Sequence, residues 1–198
     1  GHTAFTGGIN LADEYINREM RFGHWKDSAI LVKGEAAWSM TVMFLTMWEY
    51  VREVKVDYAA LRPAGLPPEA RLGSGYFVQP YTDNPLDNEA VGETVYLNLI
   101  SKAERYVYIM TPYLIIDGEM TCALTLAAKR GVDVKLILPH IPDKKSAFSL
   151  AYTHYRELLR AGVQIFEYTP GFVHAKVFVS DDEKAVVGTI NLDYRSLY

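Results

Sequence analysis

Strand-like and helix-like segments alternate along the second half of the chain, and this alternation limits the possible folds more than any other feature. The strand-like segments are short apolar runs, and the helix-like segments are followed by Gly131 and Gly162, a residue type that commonly ends a helix. Alternation with short connections predicts an α/β fold in which helices cover a largely parallel sheet. The predicted elements are strands at Tyr106–Met110, Val132–Leu138 and Val163–Tyr168 and helices at Glu119–Lys129 and Ala147–Arg160.

The segments on either side of this alternation follow other patterns. Before it, Tyr76–Gln79 is predicted to be a strand and Asn88–Ala103 an amphipathic helix. After it, Val173–Val179 and Lys184–Val187 are separated by a short acidic turn, and we predict that they form a β-hairpin. A further helix is expected to begin within residues 191–198.

The first part of the chain is predicted to contain a strand at Asp27–Val32 and a long helix at Glu35–Arg52. The longest apolar run, Ala36–Trp48, lies in this helix and is shorter than the roughly 20 residues that cross a bilayer. The helix is therefore predicted to be buried in protein. Several prolines and glycines between residues 61 and 75 predict a linker.

Composition excludes some classes of protein. The 198 residues are 49% hydrophobic and 22% charged, which is typical of a globular protein. The net charge of −4 weighs against a broad nucleic-acid surface. A single cysteine, Cys122, excludes an internal disulfide and a metal site built from several cysteines.

A short internal repeat suggests a duplication. Ala4–Leu11 matches Ala185–Leu192 at five of eight positions, 181 residues apart, and both copies follow strand-like residues. The second copy is preceded by His174, Lys176 and Asp181. The equivalents of these three residues in the first copy would lie immediately before Gly1.

The repeat predicts a division of the chain into three parts. Residues 1–60 are interpreted as the C-terminal remnant of a first repeat, residues 61–75 as a linker and residues 76–198 as a second repeat. Both ends of the chain are abrupt, so we expect the first repeat to be only partly present and the second to be cut at its C-terminus.

His174 and Lys176 are the leading candidates for chemistry. On a strand, residues two apart point to the same face, with alpha carbons roughly 6.6 to 7 Å apart. An imidazole can attack phosphorus or transfer a proton near neutral pH, and a lysine can hold phosphate oxygens. An edge strand with one solvated face would also explain the pair, and helix capping alone would also explain Asn191.

The pattern His174-x-Lys176-x₄-Asp181-x₆-Gly188-x₂-Asn191 resembles the HKD motif of the phospholipase D superfamily. The residues around Ala4–Leu11 resemble the end of the first such motif in bacterial cardiolipin synthases, as do Thr111-Pro112-Tyr113 and the closing Asn191–Ser196. The resemblance covers essentially the whole chain. It departs from the family in one respect, because the first histidine, lysine and aspartate are absent.

The resemblance implies a duplicated phospholipase D-like fold and a two-step phosphodiester transfer through a phosphohistidine. His174, Lys176 and Asp181 would be the catalytic residues, with His174 as the general acid and base, although Asp181 is equally explained as a turn residue. No metal or other cofactor is expected. Substrate would contact four further residues, namely Asn191, Asn10, Gly188 and Tyr113.

The resemblance also implies substrates and partners. The whole protein would be a phosphatidyltransferase of the bacterial cell membrane that makes cardiolipin from two phosphatidylglycerol molecules. This chain alone would be a soluble, inactive half-site that needs the missing motif in cis or in a homodimer. Alternatives are a phospholipase D-type phosphodiesterase or nuclease, although nucleic acid is disfavoured by the acidic composition, and an inactive binding module.

Three residues outside the motif could also meet substrate. His24, Trp25 and His140 lie near strand ends, where α/β sheets often meet their ligands, and they are weaker candidates for the rim of the site.

Overall fold

A computed structural model describes residues 1–65, 75–84 and 88–197. Most of the predicted linker at 61–75 lies outside these described residues.

The elements alternate much as the sequence predicts. The helices are α1 (Glu35–Arg52), α2 (Tyr58–Leu61), α3 (Val91–Ser101), α4 (Gly118–Lys129), α5 (Lys145–Ala161) and α6 (Tyr194–Leu197), with a 3-10 turn at Asp13–Ile16. The strands are β1 (Thr3–Gly7), β2 (His24–Lys26), β3 (Ala29–Lys33), β4 (Tyr106–Met110), β5 (Leu114–Ile115), β6 (Asp133–Pro139), β7 (Gln164–Tyr168), β8 (Gly171–Val173), β9 (Val177–Ser180), β10 (Lys184–Val187) and β11 (Leu192–Asp193).

The chain divides into two compact units that do not follow chain order. One unit contains Gly1–Thr6 and Ile30–Val91, and the other contains Gly7–Ala29 and Gly92–Tyr198. Residues 7–29 therefore belong to the same unit as the second half of the chain. The boundaries of the two repeats remain a prediction, because a division into compact units does not show whether the sequence arose by duplication.

The larger unit is built on a five-stranded sheet with the order β10-β9-β4-β6-β7. The three strands β4, β6 and β7 are parallel, and β9 and β10 form an antiparallel hairpin at one edge. The continuous apolar runs suit such strands, because a parallel sheet is covered on both faces. The predicted α/β fold, its parallel strands and its closing hairpin are confirmed.

The core of this unit lies between the sheet and its helices. It includes Tyr96 of α3, whose ring stacks on Phe178 of β9 with centroids 3.9 Å apart. Gly131 and Gly162, at φ +94° and +103°, adopt the left-handed conformation that follows α4 and α5. These glycines end the helices where the sequence predicts.

Two short parallel strand pairs stand apart from the main sheet. β2 pairs with β8, and β5 pairs with β11. Each pair joins segments that are far apart in sequence, and together they place residues 24–27, 113–115 and 191–193 around the motif.

The smaller unit contains the β1–β3 pair and helices α1 and α2. Helix α1 has the predicted bounds, but the prediction that it is buried is wrong. Only Ala37 and Leu45 are buried, whereas large side chains such as Phe44, Met47 and Val51 are exposed in the described structure. The apolar residues of a helix show that its surface favours burial. They do not show that the same chain provides a surface that covers it. Among the described residues, no helix combines the length and apolarity needed to cross a membrane.

Two predicted strands differ from the structure. Tyr76–Gln79 forms no strand in the described residues, and the side chain of Phe77 is fully exposed. The predicted strand Val173–Val179 is interrupted at residues 174–176, because β8 pairs with β2 whereas β9 pairs with β4. The chain leaves one sheet and enters another at this interruption, where His174 and Lys176 lie.

Asp181 has a structural role in the turn between β9 and β10. Its carboxylate accepts hydrogen bonds from the backbone N–H groups of Tyr106, Glu104 and Arg105 at 2.8, 2.8 and 2.9 Å. Its backbone is left-handed, at φ +58°, which aspartate tolerates better than most residues. The carboxylate thus fixes the start of β4 against the hairpin.

Protonation of Asp181 is expected to destabilise the fold. The N–H groups of Tyr106, Glu104 and Arg105 hold the pKa of this carboxyl at about 2, below its ordinary value of 3.8. A depressed carboxyl pKa stabilises the native state above the ordinary value, and this stabilisation is lost as pH falls through the native pKa. We therefore expect Asp181→Asn to lower the unfolding midpoint at about pH 6 and to lessen its fall between about pH 4 and pH 2, measured by circular dichroism.

Glu183→Gln is the matched control, since Glu183 lies in the same turn but forms only an exposed ion pair with Lys184 at 3.6 Å. An equal loss of stability in both variants would contradict the role of Asp181.

Candidate functional site

The site forms where the chain passes from β8 to β9. In the β2–β8 pair, Trp25 lies opposite Phe172 and Lys26 opposite Val173. Beyond that register the backbone carbonyl of Lys26 accepts hydrogen bonds from the N–H groups of His174 and Ala175 at 2.8 and 3.3 Å. These bonds fix the backbone at His174 without a regular strand.

Asp27 orients the imidazole of His174. Its Oδ2 lies 2.9 Å from Nδ1 of His174, and its Oδ1 accepts the backbone N–H of Ser28 at 2.8 Å. Burial alone would raise the pKa of Asp27, but the hydrogen bonds from His174 and Ser28 lower it below its ordinary value. The anionic carboxylate favours a proton on Nδ1 and leaves Nε2 for chemistry.

Aromatic rings enclose this imidazole. The ring centroids of Tyr15, Trp25 and Phe172 lie 5.2, 5.3 and 6.2 Å from that of His174. The indole N–H of Trp25 also donates to Asp27 Oδ2 at 3.3 Å. Only 17% of the His174 side chain remains exposed, so its rotamer is restricted.

Lys176 is buried beside the same imidazole, with 3% of its surface exposed. Its Nζ lies 2.9 Å from each ring nitrogen of His174 and 2.5 Å from the carbonyl oxygen of that residue. Burial lowers the pKa of Lys176 to about 8, although the charges of Asp27, Asp193 and Asp143 oppose this change. The predicted pairing of His174 with Lys176 is thus present, although the two residues do not lie on a regular strand.

Gly8 is required by the close approach of Asp27 and His174. A Cβ atom at this position would lie 2.2 Å from Asp27 Oδ1 and 2.7 Å from the carbonyl oxygen of His174. Both distances are shorter than van der Waals contact allows. The first copy of the repeat therefore packs directly against the motif of the second.

Asn191 precedes β11 and does not cap α6. Asp193 caps it instead, since its Oδ1 accepts the backbone N–H of Ser196 at 2.9 Å. The Oδ1 atom of Asn191 is buried and has no hydrogen-bond partner in the described residues. Gly188, directly after β10, donates its N–H to the carbonyl oxygen of Lys176 at 3.2 Å. This hydrogen bond links the end of β10 to the backbone of the lysine.

Asn10 reaches the site through Tyr15. Its side-chain amide donates to the Tyr15 hydroxyl at 2.8 Å, and the Tyr15 ring meets His174 edge to face. Asn10 is exposed, so the structure places it at the rim of the site.

Tyr113 lies next to Asn191. Leu114 of β5 pairs with Leu192 of β11, so the residues before them occupy neighbouring positions on parallel strands. The hydroxyl of Tyr113 donates to Asp143 Oδ2 at 2.5 Å. Burial and this hydrogen bond raise the pKa of Tyr113.

The structure supports the turn role that the sequence also allowed for Asp181. Asp181 follows β9, one strand length beyond Lys176, and its carboxylate is occupied by backbone N–H groups. Of the weaker candidates, Trp25 contacts the site, whereas His24 pairs with Tyr168 and His140 with Glu167.

Sequence reasoning missed Asp27, Tyr15 and Phe172. Asp27 follows Trp25, which was considered, but it lies 147 residues before its partner His174, and no spacing rule connects them. Its position directly after a short strand is a weak signal.

A separate acidic cluster could hold a cation. One carboxylate oxygen each from Glu93, Asp117 and Glu119 lies within 4.8 Å of the others. Asp117 is the N-cap of α4 and accepts the N–H of Met120 at 2.8 Å, so this cluster belongs to the start of that helix.

The arrangement at His174 suits acid–base chemistry on a phosphate ester. The imidazole is held by a carboxylate on Nδ1, and an ammonium group lies 2.9 Å from both ring nitrogens. Such a histidine can donate a proton to a leaving oxygen, and the lysine can stabilise charge on phosphoryl oxygens.

The chain is similar to known proteins of one family. Residues 96–198 match the protein family described as cardiolipin synthase, PLD-like domain. An uncharacterized protein of Streptococcus mutans is 58% identical over 195 residues, covering 98% of this chain and 41% of the relative. A cardiolipin synthase of Geobacillus kaustophilus is 38% identical over 201 residues, covering 100% of this chain and 39% of the relative. The chain thus spans about two fifths of the length of these relatives.

One solved structure is similar over nearly the whole chain. The phosphatidylserine synthase of Haemophilus influenzae matches with a TM-score of 0.61 and 16% identity, covering 99% of this chain and 53% of that protein. At this identity the similarity shows a shared fold alone, and the PLD-like domain predicted from the sequence is shown by the family match.

The buried ammonium of Lys176 is expected to make stability depend on pH. Its pKa is about 8 in the folded chain, below the ordinary 10.5, so the unfolded chain binds more protons between these values. Stability then increases with pH across this window, by about 3 kcal/mol for a shift of this size. We expect Lys176→Met to reduce this increase, measured by urea unfolding at about pH 7 and about pH 10.

Lys129→Met is the control, because Lys129 is exposed in the last turn of α4. If the stability of the wild type and of Lys176→Met rises equally, Lys176 is not the group that titrates.

Proposed function

The chain belongs to the cardiolipin synthase, PLD-like domain family, and from that premise we propose that the whole protein is a phosphatidyltransferase. In this proposal it transfers the phosphatidyl group of one phosphatidylglycerol to a second, giving cardiolipin and glycerol. The observation that carries the proposal is the buried arrangement of Asp27, His174 and Lys176.

His174 is proposed as the general acid and base. In the first step a nucleophilic histidine forms a bond to phosphorus as the bond to the glycerol headgroup breaks, and His174 donates a proton to the departing oxygen. In the second step His174 takes a proton from a hydroxyl of the second phosphatidylglycerol. That oxygen then bonds to phosphorus as the bond to the nucleophilic histidine breaks.

Lys176 and Asn191 are proposed to hold the phosphate. The Lys176 ammonium is close to Nε2 of His174, so a phosphoryl group that meets this nitrogen also meets a positive charge. Asn191 is proposed to donate its side-chain NH2 to a phosphoryl oxygen, and Asn10 lies at the rim, where it contacts Tyr15.

The nucleophile is proposed to come from a first motif outside these 198 residues. His174 and Lys176 form one histidine–lysine pair, whereas a phosphohistidine mechanism with separate acid–base catalysis needs two imidazoles. The second imidazole is supplied in cis by the whole protein or by a second copy. In this proposal the chain by itself carries half of the chemistry.

The lipid substrate places the whole protein at the bacterial cell membrane in this proposal. The relatives described as cardiolipin synthases align along the whole of this chain, which favours a phospholipid substrate. The net charge of −4 favours it over nucleic acid as well.

His174→Ala in the whole protein is expected to abolish cardiolipin formation, since it removes the imidazole proposed to protonate the leaving oxygen and to activate the acceptor hydroxyl. Product is measured by thin-layer chromatography of vesicles containing phosphatidylglycerol. His154→Ala is the control, because His154 lies within α5. Cardiolipin formation by His174→Ala at the wild-type rate would refute the proposal.

Asp27→Asn is expected to slow cardiolipin formation by about a hundredfold, because the amide holds the imidazole but does not stabilise its protonated form. Its unfolding midpoint should be recorded alongside, since Asp27 is buried. Asp133→Asn is the control, as this carboxylate pairs with Lys135 on β6 at 2.7 Å. Equal rates for Asp27→Asn and the wild type would show that Asp27 does not support His174.

A further inference from the structure

Tyr113 and Asp143 form a hydrogen-bonded pair next to the proposed phosphate site. Tyr113 and Asn191 each precede one strand of the parallel β5–β11 pair, and neighbouring strands lie roughly 4.8 Å apart. The backbone of Tyr113 is thus a neighbour of Asn191, and the charge of Asp143 acts on the Lys176 ammonium.

The loop that carries Tyr113 is fixed by a fully buried threonine. The hydroxyl of Thr111 donates to the carbonyl oxygen of Tyr113 at 3.1 Å and accepts the N–H of Leu192 at 3.2 Å. One side chain therefore ties the Tyr113 loop to the motif segment. The position of Tyr113 relative to Asn191 is set by the fold and not by a mobile loop.

The same pair lines a narrow slot that extends to Phe172, an aromatic neighbour of His174. Tyr113, Asp143 and Lys144 line this slot together with Phe172, whose ring stacks on His174. The free volume inside is only about 10 Å³, which is room for one water molecule at most. A ligand larger than water must therefore be held at the mouth of the slot, where Lys144 is exposed.

The hydrogen-bonding capacity of the pair suits hydroxyl groups. Asp143 uses Oδ2 to accept from Tyr113, and its Oδ1 is left as an acceptor without a partner in the described residues. Because burial and Asp143 raise the pKa of Tyr113, the phenol stays protonated and keeps donating to this carboxylate. A carboxylate repels a phosphate but accepts hydrogen bonds from an alcohol.

We propose that Tyr113 and Asp143 bind the acceptor alcohol and select a vicinal diol over a monohydric alcohol. One hydroxyl donates to Asp143, and its neighbour is thereby presented to His174. The inference rests on the proposed function, and it names the residues that recognise the glycerol headgroup of the acceptor.

The test is a competition between two acceptors in the whole protein. Vesicles of phosphatidylglycerol are supplied with equal concentrations of 1,2-propanediol and 1-propanol, and the two phosphatidyl alcohol products are quantified by mass spectrometry. In Asp143→Asn and Tyr113→Phe, the ratio of diol product to propanol product is expected to fall about tenfold, since a hydrogen bond to a charged group is lost or weakened. The ratio is independent of the amount of active enzyme.

Tyr106→Phe and Asp182→Asn are matched controls. They alter another tyrosine–aspartate pair, with a hydroxyl-to-carboxylate distance of 2.7 Å, at the opposite end of β4. Their product ratios are expected to equal that of the wild type.

The outcomes separate this inference from the proposed function. Phosphatidyl transfer with the wild-type ratio in Asp143→Asn and Tyr113→Phe would overturn the diol assignment and leave the proposed function standing. A wild-type protein that transfers no phosphatidyl group would overturn the proposed function and the diol assignment together. A lower ratio in the control pair as well would also overturn the assignment, because the change would then not be specific to this site.

Discussion

The rest of the site depends on the burial of the Lys176 ammonium. A buried cation is tolerated only if fixed groups of opposite polarity surround it, since few water molecules remain to solvate it. Here it meets the imidazole and carbonyl of His174, with the carboxylates of Asp27, Asp143 and Asp193 acting on it from farther away. Each of these groups must be held at a fixed distance, which requires a rigid framework.

The two short strand pairs supply that framework. The β2–β8 pair brings Asp27 and the rings of Trp25 and Phe172 to His174, and the β5–β11 pair brings Tyr113 to Asn191. Both pairs also bury apolar side chains, since Leu114 and Leu192 belong to the main core and Trp25 and Phe172 are buried beside the site. Their effect is to join segments distant in sequence at the point where the chain crosses from one sheet to another.

The local part of this structure could be predicted from sequence, and the long-range part could not. Helix α1 and strand β4 have the predicted bounds, because apolar periodicity and glycine stops are local signals. The contact of Asp27 with His174 joins residues 147 positions apart, and no periodicity records it. The motif aspartate, Asp181, was grouped with His174 by spacing along the chain, but β9 carries it to the far end of the sheet.

In the proposed reaction, the charges around the site would also keep the two substrates apart. A phosphodiester needs the cationic side formed by Lys176, whereas the carboxylate of Asp143 disfavours an anion at its own position. An alcohol has no net charge at the hydroxyl that reacts, so it can approach along the carboxylate side while the phosphate stays with the ammonium. The Lys176 side would hold the phosphate and the Asp143 side the alcohol. This arrangement would orient the acceptor oxygen toward phosphorus, and His174 would exchange a proton with that oxygen.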